Sequence, residues 1–148
     1  MSGLLTWNEV GQLLKASPIY WLHTTNRSGA PDASPVWGVI VDERLYIYSM
    51  RSTLKARNVE RDSRVLVHLE SGADVIIVHG VLSDLGHPQD FPEIVDAFGA
   101  KYDHPAERPF LPSSDPAFDV LYVLRPQRAL RWNLPDSEAS MRRWSAEA

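Results

Sequence analysis

Short apolar runs rich in β-branched and aromatic residues, separated by turn-forming clusters, recur along this chain, and a helical period replaces them in three places. The first is near the start, where Thr6-Trp7-Asn8-Glu9 has the form of a capping box. The Thr6 hydroxyl and the Glu9 carboxylate would each satisfy a free backbone donor there. Val10, Leu13 and Leu14 recur at helical spacing behind it, and Ser17-Pro18 ends the segment because a residue before proline disfavours helical geometry. The pattern predicts an N-terminal helix within residues 1–17 that offers one apolar face to a core.

Residues 19–25 are rich in β-branched and aromatic types and run into Asn26-Arg27-Ser28-Gly29, a set that tolerates tight-turn dihedrals, so a strand ending in a hairpin is expected. Residues 36–41 and 45–48 repeat the pattern across Asp42-Glu43-Arg44, and residues 65–69 and 75–82 do so across Ser71-Gly72-Ala73-Asp74. Between these hairpins, residues 52–61 suit a short helix capped by Ser52 or Thr53. Residues 87–101 predict a second amphipathic helix, with Phe91, Ile94, Val95 and Phe98 on one stripe. A Pro-rich loop over 104–116 precedes two closing strands, 118–124 and 129–132, separated by Arg125-Pro126. The tail over 136–148 is polar until Met141 and Trp144. Many short antiparallel strands with few helices favour a closed barrel over a sandwich, since closure removes exposed sheet edges.

A chain of 148 residues fits one domain, here residues 1–148. The net charge of -4 argues against a nucleic-acid partner, whose phosphates draw on an excess of Lys and Arg, so any bound anion must be held locally. The absence of cysteine excludes disulfides and thiolate metal sites and fits a reducing cytoplasm. The opening residues lack the pattern of a signal peptide, and no run approaches membrane-spanning length. A cytoplasmic protein without a membrane partner is expected.

One segment carries a concentration of anion-binding chemistry. Arg51-Ser52-Thr53-Leu54-Lys55-Ala56-Arg57-Asn58 follows a strand and opens a helix, bringing hydroxyls and cations next to unpaired backbone N–H groups. It reads either as a phosphate cradle or as a solvated basic helix with an ordinary cap. His23, His68 and His79 lie in strands without a carboxylate at metal-ligand spacing, so they read as satisfied core or rim histidines and no metal is assigned. No Ser-His-Asp order with a nucleophile turn supports hydrolase chemistry. Tyr102, Asp103 and His104 sit beside the Pro-rich loop, which reads either as shaping a substrate pocket or, in preference, as surface loop.

The order of segments narrows the choice. Residues 29–37, then Leu45-Tyr46-Ile47-Tyr48-Ser49, then Thr53-Leu54-Lys55-Ala56-Arg57-Asn58-Val59, then Arg61-Asp62-Ser63-Arg64-Val65 together resemble the pyridoxamine-phosphate-oxidase-like split-barrel flavoproteins, in particular their deazaflavin-dependent reductase branch. The resemblance implies a mainly β fold, a six-stranded antiparallel split β-barrel with a few peripheral helices. It also implies a homodimer with the cofactor in the groove between subunits. Ser34, Val36 and Trp37 match the strand lining the flavin or deazaflavin ring, and Ser49, Thr53, Lys55, Arg57 and Asn58 match the segment holding the ribityl phosphate. Trp132 and Arg143 match a closing strand and tail that reach the partner's cofactor. Trp132 also reads as a core aromatic, and Arg142 and Arg143 as a solvated tail.

Where the oxidases usually carry Arg before the cradle lysine, this chain has Leu54, which leans the cofactor from FMN toward coenzyme F420. The resemblance thus implies an F420- or FMN-dependent oxidoreductase that passes hydride to a small organic substrate. The alternative is a non-catalytic protein that binds flavin, deazaflavin or haem.

Overall fold

The computed structural model describes residues 4–146, so residues 1–3 of the expected N-terminal segment and 147–148 of the tail lie outside it. Eight strands form one antiparallel sheet: β1 (Tyr20–Thr25), β2 (Pro31–Val36), β3 (Gly38–Val41), β4 (Arg44–Ser49), β5 (Arg64–His68), β6 (Asp74–Gly86), β7 (Val120–Asn133) and β8 (Arg142–Ser145). The helices are α1 (Trp7–Lys15), α2 (Leu54–Arg61), α3 (Pro92–Lys101) and the single turn α4 (Ser137–Ser140). None is long and apolar enough to cross a membrane.

Strand order runs β2-β1-β5-β6-β7-β4-β3, with β8 added beside the second half of β7. The two ends of that order, β2 and β3, are joined in sequence by Trp37 alone. A sheet whose outermost strands stand one residue apart must curl until those edges meet at a corner, and a half-closed barrel results. Burial alternates along β1 and β5 as this requires, turning Tyr20, Leu22, Val65 and Val67 inward. Ile76 and Val78 of β6 join them, and Val10 and Leu14 of α1 pack into the same core. The capping box starts α1 as expected, with the Thr6 hydroxyl accepting from Glu9 N and Glu9 accepting from Thr6 N.

The outer face divides in two. Over β3, β4 and the first half of β7, α3 lays Ile94 and Phe98 against Val39, Tyr48 and Leu121. Elsewhere the register puts Trp21, Leu66, Ile77, Leu130 and Trp132 on the outer face of β1, β5, β6 and β7, and these side chains belong to neither buried cluster. His23 and His68 share that face with their Nε2 atoms 2.8 Å apart. The Leu69 carbonyl takes the proton of His68 Nδ1, so His68 accepts from His23. The two rings satisfy each other.

Several sequence expectations are corrected. The sheet counts eight strands where six were expected, because the chain divides at Trp37 into β2 and β3 and the tail adds β8, in which Trp144 packs on Trp7 and Arg142 pairs with Glu9 at 2.8 Å. The expected strand over 36–41 breaks at Trp37, where the chain turns the barrel's corner. The helix expected over 87–101 begins at Pro92, a favoured first helical residue, after a 3₁₀ turn at Pro88–Asp90.

The two closing strands are one, β7. Its pairing with β6 steps from His79↔Arg128 to Gly80↔Pro126, and the bulge at Gln127 absorbs the proline that lacks an N–H. Gly80 permits the approach: a Cβ there would sit 3.0 Å from Pro126 Cα and closer still to the Arg125 carbonyl oxygen. Gly80→Ala is therefore expected to lose about 1–3 kcal/mol of stability, read as a lower midpoint in urea, because backbone rather than a flexible side chain must move.

Candidate functional site

The end of β2, the Trp37 corner, the end of β4 and the start of α2 converge on one side of the barrel. Thr53 caps α2: its hydroxyl accepts from Ala56 N at 3.3 Å, donates to the Met50 carbonyl at 2.7 Å and stands 3.1 Å from Ser49 Oγ. The side chain is thus committed to shaping the turn. Lys55, one residue into the helix, is half-buried, and no carboxylate pairs with it among the described residues. Burial pushes its ammonium below the ordinary lysine value. An unpaired, partly desolvated cation is primed for an anion.

Three clefts run in sequence across this region. The first, about 300 Å³, has aromatic and apolar walls in Pro35, Val36, Trp37, Tyr48, Met50, Phe110 and Phe118, and a polar end in Ser49, Thr53 and Lys55. A second of about 160 Å³ shares Thr53 and Lys55 with it and adds Thr24, Asp32, Ala33, Ser34 and Leu54. The third, about 430 Å³, shares Asp32 and Leu54 with the second and adds Asn26, Arg27, Ser28, Arg57, Asn58 and Arg61. Neighbouring clefts sharing these residues thus carry aromatic walls, a lysine, and three arginines beside Asp32.

Of the expected ligand residues, Val36, Trp37, Ser49, Thr53 and Lys55 meet in the first cleft, and Ser34 and Lys55 in the second. Arg57 and Asn58 line the third instead. Asn58 is fully buried: its amide donates to Thr24 Oγ1 at 3.1 Å and Asp32 Oδ2 at 3.0 Å, while its oxygen accepts from Arg61 at 3.1 Å. It braces the groove wall, with both amide protons engaged. Arg51 turns away to a two-bond pairing with Asp84 at 2.7 and 3.0 Å.

Trp132 and Arg143 are not brought to this groove. Val120 pairs with Ser49 at one end of β7 and Trp132 pairs with Val75 near the other, on the order of 40 Å away along the strand at the usual rise. Arg143 pairs with Leu130 and is exposed beside Trp132. Both residues stand on the outer face that α3 leaves uncovered.

Val36 and Trp37 were expected in the walls, whereas Tyr48, Phe110 and Phe118 were not singled out; Phe110 comes from the Pro-rich loop and is 59% exposed. Arg27 was read only as a turn residue. Tyr102 overturns its surface-loop reading: it is 1% exposed and stacks on Trp37 with centroids 4.4 Å apart and planes 4° from parallel. Its neighbour Lys101 donates to Tyr20 Oη and the Gly38 carbonyl, each at 2.8 Å, and burial pushes its ammonium down to about 8.

That depression fixes the sign of a pH effect. Between about 8 and 10.5 the unfolded chain holds a proton that folded Lys101 has released, so the residue's contribution to stability grows as pH rises through that window. Melting temperatures at pH 7.5 and 9.5 should show this gain in the wild type and a smaller one in Lys101→Met.

No three His, Asp or Glu side chains converge as a metal site among the described residues. A family model described as pyridoxamine 5'-phosphate oxidase matches residues 6–133. A solved conserved hypothetical protein from Mycobacterium tuberculosis superposes with TM-score 0.73 at 19% identity, over 88% of this chain and 86% of that one. A solved F420 reductase does so with TM-score 0.64 at 22% identity, over 80% and 94%. The haem storage protein HutZ from Vibrio cholerae matches with TM-score 0.65 at 17% identity, over 81% and 89%. At these identities the overlaps establish the fold, a mainly β split barrel with few helices. No curated protein matches the sequence.

Proposed function

Because the chain belongs to the pyridoxamine 5'-phosphate oxidase family, we propose that its groove holds a flavin-type cofactor, coenzyme F420 in preference to FMN, and that the protein is an oxidoreductase. The bound cofactor would supply the hydride passed to a small, flat organic acceptor. The residues fit the group. Lys55 offers an unpaired ammonium, and Leu54 and Lys55 open α2 with N–H groups directed toward its N-terminal end. Trp37, Tyr48, Phe110 and Phe118 give the neighbouring cleft walls that exclude water from a ring.

The observation that carries F420 over FMN is the continuation of the groove past Lys55 to Arg27, Arg57 and Arg61. FMN ends at its phosphate, whereas F420 extends beyond it into a tail of carboxylates that such an arginine cleft complements. Leu54, standing where the oxidases carry arginine, supports the same choice.

The proposal includes a homodimer in the cytoplasm. Trp21, Leu66, Ile77, Leu130 and Trp132 form an apolar outer face beside Arg143, and a second copy seated there would bring Trp132 and Arg143 toward the partner. Sedimentation velocity should give twice the chain mass; a monomer would remove the dimer from the proposal.

A second reading, a non-catalytic binder of flavin, deazaflavin or haem, is favoured by the likeness to a haem storage protein. Reduced F420 incubated with a panel of quinones and enones separates the two. Acceptor-dependent oxidation, followed by cofactor absorbance, supports the oxidoreductase; tight binding without oxidation above background supports the binder.

A further inference from the structure

Trp37 is the single residue joining the two edges of the sheet, and α3 grips the chain immediately beside it. The Tyr102 hydroxyl donates to the Pro18 carbonyl at 2.6 Å and accepts from Gly38 N at 3.0 Å, while Lys101 Nζ donates to the Gly38 carbonyl. The corner is tight: a Cβ on Gly38 would fall 2.9 Å from Leu45 Cδ1 and 3.0 Å from Tyr20 Cε2. Backbone position at Trp37 is therefore set from α3 and β1 together.

The ring is set as well. Trp37 lies nearly parallel on Tyr102, and Tyr102 lies at 20° to Phe98 with centroids 6.3 Å apart. Phe98 meets Tyr48 edge-on at 4.8 Å, and Tyr48 meets Phe118 edge-on at 5.2 Å. Trp37, Tyr48 and Phe118 all line the first cleft, whereas Tyr102 and Phe98 are buried behind it. Three rings that line the cleft are thus tied through the same two buried rings. Close-packed rings move little without repacking their neighbours, so the spacing of those walls is held by residues that do not line the cleft.

We propose that Tyr102 is a positioning residue which fixes the indole plane of Trp37, so that the cleft accepts a flat ring against that indole. This rests on the cleft being the cofactor site. Stacking, rather than the hydroxyl bonds, carries the effect on the ring, since the hydroxyl acts on the backbone of Gly38 and the ring acts on the indole. Tyr102→Phe keeps the stack and drops the hydroxyl; Tyr102→Leu drops both.

The test has two arms, one of them free of ligand. The chain has five tryptophans, so the Trp37 contribution is taken as the difference between each protein and its own Trp37→Phe derivative. Folding of every variant is checked by circular dichroism. Without ligand, acrylamide quenching of the Trp37 emission is expected to rise by about twofold or more in Tyr102→Leu and to stay near the wild-type value in Tyr102→Phe. With FMN and F420 as separate probes, Tyr102→Leu should weaken binding by about three- to tenfold, the range of one aromatic pair, and Tyr102→Phe should restore it. Equal losses in Phe and Leu, or a Trp37 emission as shielded in Leu as in the wild type, overturn the proposal. A wild-type protein that binds neither probe refutes the cofactor site and with it the cleft's accepting role, whereas the quenching arm alone reports failure of the Tyr102–Trp37 coupling.

Discussion

Asn58→Ala is expected to cost about 2–4 kcal/mol of folding stability, among the largest losses a single exposed-helix substitution in this chain would produce. The residue faces inward with Ala56 and Val59 from a helix whose outer face is charged, and it is fully buried. Truncation leaves Thr24 Oγ1 and an oxygen of Asp32 without their donor and removes an acceptor from Arg61. The penalty comes less from the bonds lost than from polar groups left desolvated without partners. Urea denaturation of Asn58→Ala measures it. Asn58→Asp sharpens the test, because it keeps the shape but replaces the amide donor by a second carboxylate against Asp32, so it should also lower the urea midpoint.

Lys55→Ala is expected to weaken both FMN and F420 by about 1.5–3 kcal/mol, roughly ten- to a hundredfold in dissociation constant, the range for a hydrogen bond to a charged group. The same substitution should leave folding stability unchanged or slightly higher. A half-buried ammonium with no counter-charge is held in the fold at a desolvation cost, visible in its lowered pKa, and alanine removes that cost. Opposite signs for binding and stability mark a residue kept for a ligand. A Lys55→Ala protein that binds either cofactor as the wild type does would show that the anion sits elsewhere.

What was legible in the sequence was local. The capping box of Thr6 and Glu9, the turn in which Asn26 Oδ1 accepts from Ser28 N and Ala30 N, and the Thr53 cap each involve partners within four residues, so their geometry follows from residue type and spacing. Lys55 could be singled out because it sits just inside such a cap. Asn58 stands three residues further on and looked the same on paper. Its bracing bonds depend on Thr24 and Asp32, which only the β1–β2 hairpin brings beside α2.

Long-range partners explain the other departures. Tyr102 was read as surface because it stands beside the Pro-rich loop, and nothing near it in sequence announces that Trp37 lies on its ring. Pro126 was read as a strand break because proline lacks an N–H, yet Gly80 on the opposing strand leaves room for a bulge that carries β7 through. Arg27 joins Arg57 and Arg61 only after the hairpin folds over the helix, so the cationic end of the groove was invisible as a unit.

The direct test is a paired titration of F420 and FMN, by fluorescence, into the wild type and into an Arg27→Ala/Arg57→Ala double variant at two salt concentrations. F420 should bind the wild type at least about tenfold more tightly than FMN, with the difference shrinking in high salt, as expected for added charge-assisted contacts. The double variant should lose most of that difference while its FMN affinity stays near the wild-type value. FMN binding as tightly as F420, or an F420 advantage that survives loss of both arginines, would contradict the assignment of this groove to a deazaflavin.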